Sequence, residues 1–129
     1  PARLKDLVDL LKGIPEYRAA VRGMAGPKIV SGSDNGHCGQ ISIEMTGGTE
    51  GAKTIYESYA AAGVSTIVSM HISEEALENA KKAHLNIVLA GHISSDTLGL
   101  NLLFDEIEKE ERLEFVGVSG FARTRASER

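Results

Sequence analysis

Hydrophobic residues alternate between strand-like and helix-like spacing along most of the chain. Residues 87–90 form a short apolar run without a polar interruption, which is typical of a strand buried on both faces. Gly91 ends this run, and from Leu98 onward the apolar positions recur with the period of an α-helix. The pattern therefore predicts a strand, a tight turn and a helix that ends near Lys109.

The same alternation extends through the preceding residues. Spacing and β-branched content predict strands over residues 28–31, 40–45, 64–70 and 114–118, and helices over residues 52–60 and from Ser73 to about His84. Repeated strand–helix alternation is typical of a three-layer α/β fold with a mostly parallel sheet. We expect this fold class for the chain.

The first part of the chain has a different pattern. Residues 4–22 are amphipathic with helical spacing, but Gly13 and Pro15 interrupt them, so two helical pieces are expected. The last residues are polar. The predicted organisation is leading helices over residues 1–25, an α/β metal-binding domain over residues 26–122 and a frayed tail over residues 123–129.

Composition narrows the functional classes. The 129 residues are 42% hydrophobic, which is enough for one domain with a core. A net charge of −4 gives no basic footprint for nucleic acid. The single cysteine excludes an internal disulfide and fits a reducing compartment, and no apolar run reaches the roughly 18 residues of a membrane helix. We expect a cytoplasmic protein that binds neither nucleic acid nor membranes.

His92 and Asp96 are the best candidates for chemistry. His92 follows a predicted strand, at the end where open α/β sheets place their sites. Asp96 is four residues further, so both side chains lie on one helix face if the helix has begun. Imidazole and carboxylate are ligands for Zn, Mn, Fe or Ni. The alternative is that His92 is a turn residue and Asp96 a helix cap.

His71 occupies an equivalent position, just after the strand at residues 64–70 and just before a helix. Neighbouring strands of a parallel sheet end at the same edge, so the His71 and His92 imidazoles could converge. The alternative for His71 is a neutral imidazole that bonds to the backbone.

Two further stretches carry polar groups in loops. Thr46, Gly47, Gly48 and Thr49 lie between a strand and a helix, where backbone N–H groups can hold an anionic substrate. The alternative is a plain turn with a threonine cap. The adjacent His37 and Cys38 could ligate metal or supply a nucleophile, although no nearby base or second cysteine supports this.

Residues 91–96, Gly-His-Ile-Ser-Ser-Asp, resemble the Gly-His-x-x-x-Glu/Asp motif of the NIF-three-like family (NGG-interacting-factor-three-like, also labelled GTP cyclohydrolase I type-two homologues). Four more stretches are similar to one branch of that family, in the same order: residues 14–17, 45–50, 70–73 and 95–101. The resemblance implies an α/β protein that binds two metal ions and often assembles into a toroidal hexamer. Many relatives have an aspartate where His71 stands.

The resemblance also implies that part of the metal site is absent. Family members carry an earlier half with a His-His-Pro motif and an aspartate, and this chain, which starts at Pro1, has no His-His pair. We therefore expect these residues to correspond to the carboxyl-terminal portion of a longer protein. On its own, this portion should bind metal weakly, expose apolar surface and self-associate.

Two functional classes remain open from the sequence. One is a dinuclear metal-dependent hydrolase for a phosphorylated or nucleotide-like substrate, with His92, Asp96 and His71 as ligands and residues 46–49 at the anionic group. The other is a non-catalytic metal-binding assembly or protein-interaction module. No residue stands out as a general base, so the sequence does not choose between them.

Overall fold

The strands of the computed structural model, which describes residues 1–46, 52 and 54–129, form one sheet in the order β1-β4-β3-β2. They are β1 Lys28–Ser31, β2 Gln40–Glu44, β3 Val64–Ser69 and β4 Asn86–Leu89. β3 is parallel to both β2 and β4, whereas β1 is antiparallel to β4. The expected mostly parallel sheet is confirmed, and β1 is its antiparallel edge.

The helices are α1 Leu4–Gly13, α2 Pro15–Arg22, α3 Ile55–Ala61, α4 Glu74–Lys82 and α5 His92–Ile107. The predicted break between the leading helices is confirmed. Ile14 is extended between α1 and α2, and Pro15 occupies the first turn of α2, where its missing N–H costs no hydrogen bond. Within the described ranges, no helix combines the length and the hydrophobicity that a membrane span requires.

The helices cover the two faces of the sheet and form three layers. Val68 and Val88 point to one face, where they pack with residues of α1 and α2 in a single buried cluster. Ile67 and Ile87 point to the other face, where α3 and α4 cover them. Adjacent residues of each central strand therefore serve opposite cores, which is the period of two expected for a strand buried on both faces.

The predicted strand over residues 114–118 is wrong. These residues are irregular, and Val116 and Val118 are 74% and 64% exposed because no sheet neighbour covers them. Phe115 packs instead on Phe104 of α5, with ring centroids 4.9 Å apart. The segment therefore follows α5 and adds nothing to the sheet.

The tail over residues 123–129 also differs from the expected frayed end. Arg123 is only 6% exposed in its side chain and donates hydrogen bonds to Asp105 at 2.7 Å and to Glu108 at 3.0 Å. Arg125 donates to the same Glu108 carboxylate at 3.1 Å. These charge-assisted hydrogen bonds fix the tail along the second half of α5.

The tail also reaches α2 through Glu16. The two terminal guanidinium nitrogens of Arg129 donate to the Glu16 carboxylate, at 2.6 and 2.8 Å, and Asn101 donates to it at 3.1 Å. Burial opposes ionisation of Glu16, but these donors hold its pKa below the ordinary value. Glu16 therefore joins α2, α5 and the tail as a buried, ionised carboxylate.

We predict that Glu16→Gln lowers the free energy of unfolding by about 1–3 kcal/mol at neutral pH, because a charged hydrogen-bond acceptor for Arg129 is lost. Since the pKa of Glu16 is lowered in the fold, its ionised form stabilises the protein at neutral pH, and this contribution is lost as the pH falls below about 4.5. The difference between wild type and Glu16→Gln in denaturant unfolding should therefore shrink in acid.

The exposed Glu78 of α4 provides the matched control, because Glu78→Gln makes the same chemical change at a solvated position. The unfolding midpoint of Glu78→Gln should match that of wild type at neutral pH and at pH 3. A Glu16→Gln difference that stays constant down to pH 3 would contradict the ionised assignment.

Candidate metal centre

Backbone pairing beyond the ends of β3 and β4 sets the position of the candidate centre. Ala90 N donates to Ser69 O at 2.8 Å, and Gly91 N donates to Met70 O at 3.2 Å. The two backbone segments therefore remain side by side up to His71, which follows β3, and His92, which follows β4. Gly91 has φ +108°, and a Cβ there would lie 2.7 Å from Ser94 Oγ, so this turn requires glycine.

The structure brings together all three residues that the sequence proposed as metal ligands. The His71 and His92 rings lie with centroids 5.1 Å apart and planes tilted by 40°. His92 Nε2 is 3.2 Å from Asp96 Oδ2, across one turn of α5. The His92 and Asp96 side chains are 48% and 58% exposed, so solutes can reach them.

α5 starts at His92, directly after Gly91. Because the helix has begun by His92, the i and i+4 side chains share one face. Tyr17 Oη lies 2.8 Å from Ser95 Oγ, which ties the first turn of α5 to α2. The sequence signal for this positioning contact was the resemblance of residues 14–17 to a family motif.

The donor types fit a divalent metal, but the set is partial. Two imidazoles and one carboxylate suit Zn, Mn, Fe or Ni. Among the residues that the structure describes, however, no three His, Cys, Asp or Glu side chains are arranged to hold one ion. The close pair is His92 and Asp96, with His71 beside it. Any ion here would need donors from elsewhere.

The predicted anion-binding loop lies mostly outside the described residues, which exclude Gly47, Gly48 and Thr49. Thr46 is described, and both its backbone N–H and its hydroxyl donate to the Glu44 carboxylate. The donors of Thr46 therefore already have an acidic partner in this structure. The role of residues 46–49 in substrate binding stays a prediction.

His37 and Cys38 lie at the opposite end of the sheet, just before β2 begins. Cys38 is 2% exposed, and its carbonyl accepts a hydrogen bond from Thr66 Oγ1 at 2.6 Å. The carbonyl of His37 accepts one from Asn86 Nδ2 at 3.3 Å. Burial, with the nearby charge of Asp6, raises the pKa of the Cys38 thiol. This environment is that of a core residue and disfavours a nucleophile.

An apolar groove of about 1000 Å³ begins at Asp96 and runs between α1 and α5 over β2. The helices on this face of the sheet leave β2 uncovered, so Ile43 of β2 is 70% exposed. Leu10 of α1, which faces the same groove, is 69% exposed. Leu103 on α5 is 54% exposed at the other wall. Below, "the apolar groove" means this surface. The candidate centre therefore lies at the edge of a large apolar surface.

No protein-family model matches the sequence, and comparison with curated proteins gives no match. A solved structure, that of a NIF3 superfamily protein from Sphaerobacter thermophilus, does match, with a TM-score of 0.73 and 28% sequence identity. The chain has a NIF3-like fold. The resemblance inferred from the motifs is therefore confirmed.

The extent of the match is unequal for the two proteins. It covers 92% of this chain but only 42% of the chain from Sphaerobacter thermophilus. The NIF3-like chain thus spans less than half the length of that protein, which is consistent with the expectation of a carboxyl-terminal portion.

We predict that Cys38 of the native NIF3-like chain reacts with iodoacetamide at least about tenfold more slowly than the same thiol in denaturant, because it is buried and its pKa is raised. Mass spectrometry of timed samples would measure both rates. Equal rates would show that Cys38 is accessible and would reopen its assignment as a reactive thiol.

Proposed function

We propose that this NIF3-like chain binds a divalent metal through His71, His92 and Asp96. The observation that supports the proposal is the meeting of these side chains where β3 and β4 end, with 5.1 Å between the imidazole centroids and 3.2 Å between His92 and Asp96. The three residues come from two separate strand–helix units. The sequence had indicated that the two imidazoles could converge at this edge of the sheet.

The further proposal is a dinuclear metal-dependent hydrolase that acts on a phosphorylated or nucleotide-like substrate. A bound ion would lower the pKa of a coordinated water and polarise a phosphoryl oxygen. The chain's own residues hold the ligands in place: Gly91 sets the turn before His92, and Tyr17 fixes the helix turn that carries Asp96 through Ser95. Thr46 and the residues after it would lie at the anionic group of the substrate.

The ligand count limits what residues 1–129 do alone. An ion of this class takes at least four donors, and the described residues offer three for what would be two ions. We therefore propose that a segment outside this sequence supplies the remaining ligands. The 129 residues alone should bind Zn or Mn weakly.

We predict that His92→Ala and Asp96→Ala each reduce Zn and Mn affinity by more than the roughly 10–100-fold that loss of an outer-shell partner costs, because each removes a direct ligand. Calorimetric titration of the 129-residue chain, and of a longer protein that contains it, would measure the effect. His71→Ala should weaken binding as well, with little change in the thermal midpoint, since His71 is exposed and packs little.

His37→Ala is the matched control, because it removes an exposed imidazole at the far end of the sheet. It should leave metal affinity unchanged. Wild-type affinity in a well-folded His92→Ala or Asp96→Ala variant would refute the ligand assignment. Tight binding of two ions by a monomer of residues 1–129 would refute the partial site.

The alternative function is a non-catalytic assembly in which metal fixes structure, and the apolar groove favours it. Ile41 and Ile43 of the edge strand β2 form one wall, opposite leucines of α5. Exposed apolar surface next to an unpaired strand edge is a docking surface for more polypeptide. We propose that its occupant is the part of the NIF3 fold that this chain does not span, given that the match covers 42% of the similar protein.

Without that occupant, we predict that the chain self-associates through the apolar groove. Ile43→Lys should lower the weight-average mass in light scattering, because it places a charge on the exposed wall and on an edge strand. Val116→Lys is the matched control, since Val116 is equally exposed but lies on the segment after α5. A monodisperse wild-type monomer, or equal effects of both variants, would contradict the assignment of this surface.

One experiment separates the two functions. A longer protein that contains this chain would be loaded with Zn or Mn, or treated with a chelator, and screened with phosphomonoesters, phosphodiesters and nucleotides. Metal-dependent turnover that His92→Ala abolishes would support the hydrolase. Turnover absent in both states, with assembly that depends on metal, would support the structural role.

A further inference from the structure

The first turn of α5 carries two of the three candidate ligands but lacks the usual means of holding a helix start. Its N-cap residue is Gly91, which has no side chain to accept a hydrogen bond, and the first turn contains no acidic residue. The positive φ and the close approach of Ser94 require glycine there. A helix start without a cap frays, so His92 and Asp96 would move unless another contact held this turn.

Ser95 supplies a contact of this kind. Its hydroxyl donates to Gly91 O at 2.5 Å, whereas its backbone N–H reaches the same carbonyl at 3.3 Å. The side chain is therefore the closer donor to the carbonyl that opens the helix, a bond that serine commonly makes to the residue four positions earlier. A serine hydroxyl has one hydrogen, so any other hydrogen bond to Ser95 Oγ must be one that it accepts.

That other hydrogen bond comes from Tyr17, whose Oη lies 2.8 Å from Ser95 Oγ. Because the Ser95 hydrogen is engaged by Gly91, the Tyr17 hydroxyl is the donor. One chain of hydrogen bonds thus runs from Tyr17 through Ser95 to Gly91. Its last two members directly precede Asp96 and His92 in the sequence, so a single phenol hydroxyl acts on the backbone at both candidate ligands.

Tyr17 is itself held in place by α1 and α5. It is 3% exposed and belongs to the buried cluster that contains Leu4 and Leu7 of α1. The preceding residue, Glu16, accepts a hydrogen bond from the fully buried Asn101, which lies further along α5. Because Tyr17 is buried, its hydroxyl is a fixed support for the helix turn and does not meet a solute directly.

We propose that Tyr17 is a positioning residue for the candidate metal centre. Its hydroxyl takes the place of the missing helix cap and keeps His92 Nε2 and Asp96 Oδ2 at their separation of 3.2 Å. Outer partners of this kind govern metal affinity because they fix the ligands before an ion arrives. The effect on metal rests on the function proposed above. The effect on the helix turn does not, because it is a property of the metal-free protein.

Hydrogen exchange of the full chain, treated with chelator, tests the helix turn. Tyr17→Phe removes only the hydroxyl, and we expect the Ser95 amide to exchange about two- to tenfold faster, the factor for loss of one hydrogen bond. A general loss of stability would speed only those amides that exchange through global unfolding, so the Ser95 rate is diagnostic. Tyr59→Phe makes the same change on the opposite face of the sheet and should leave that rate unchanged.

Calorimetric titration with Zn tests the positioning of the ligands. Tyr17→Phe and Ser95→Ala should each lower Zn affinity about tenfold. The double variant should lose no more than either single variant, since both break the same chain of hydrogen bonds. Ser95→Thr keeps the hydroxyl and should bind Zn like wild type. Ser58→Ala is the matched control, because it removes a similar serine bond, to Thr54 O at the start of α3, and should have no effect.

The proposal is overturned if folded Tyr17→Phe shows the wild-type exchange rate at Ser95, or if it binds Zn as tightly as a wild type that does bind Zn. Failure of the proposed function has a different signature, in which wild type binds no Zn or His92→Ala leaves binding unchanged. The exchange rate of Ser95 then decides by itself whether Tyr17 holds the turn.

Discussion

The parallel pairing of β3 with β4 is the constraint on which the other features depend. It aligns Ile67 with Ile87 and Val68 with Val88, so both cores form across the same two strands. The pairing continues past the strands through Ala90 and Gly91. For this reason the residues that follow, His71 and His92, meet without any loop having to guide them. Fold stability and site geometry thus come from one ladder of hydrogen bonds.

The sequence predicted those features that depend on local periodicity. The apolar run before Gly91 and the spacing of His92 and Asp96 are short-range signals, and both the strand and the helix lie close to their predicted places. The antiparallel direction of β1 carries no such signal. The strand predicted at residues 114–118 failed because its alternating valines match the period of a strand, while the sheet offers no neighbour there. Whether His71, His92 and Asp96 hold metal is a question that local spacing does not answer.

The tail shows why charge patterns alone mislead. Arginines and glutamates near a terminus usually indicate a solvated end. Here Arg123 donates hydrogen bonds to Asp105 and Glu108 near the end of α5. Arg129 donates to Glu16, which is 113 residues away in the sequence. Such partners are defined only after α2 and α5 have packed.

The pairing of Glu16 with Arg129 has a consequence for the order in which the molecule assembles. Closing a loop of 113 residues costs more chain entropy than any contact within a strand–helix unit. The ion pair between Glu16 and Arg129 should therefore form after the sheet during folding. It should also break before the sheet opens during local unfolding. Amide hydrogens of the tail, residues 123–129, would then exchange faster than those of β3 and β4 while the rest of the protein remains folded.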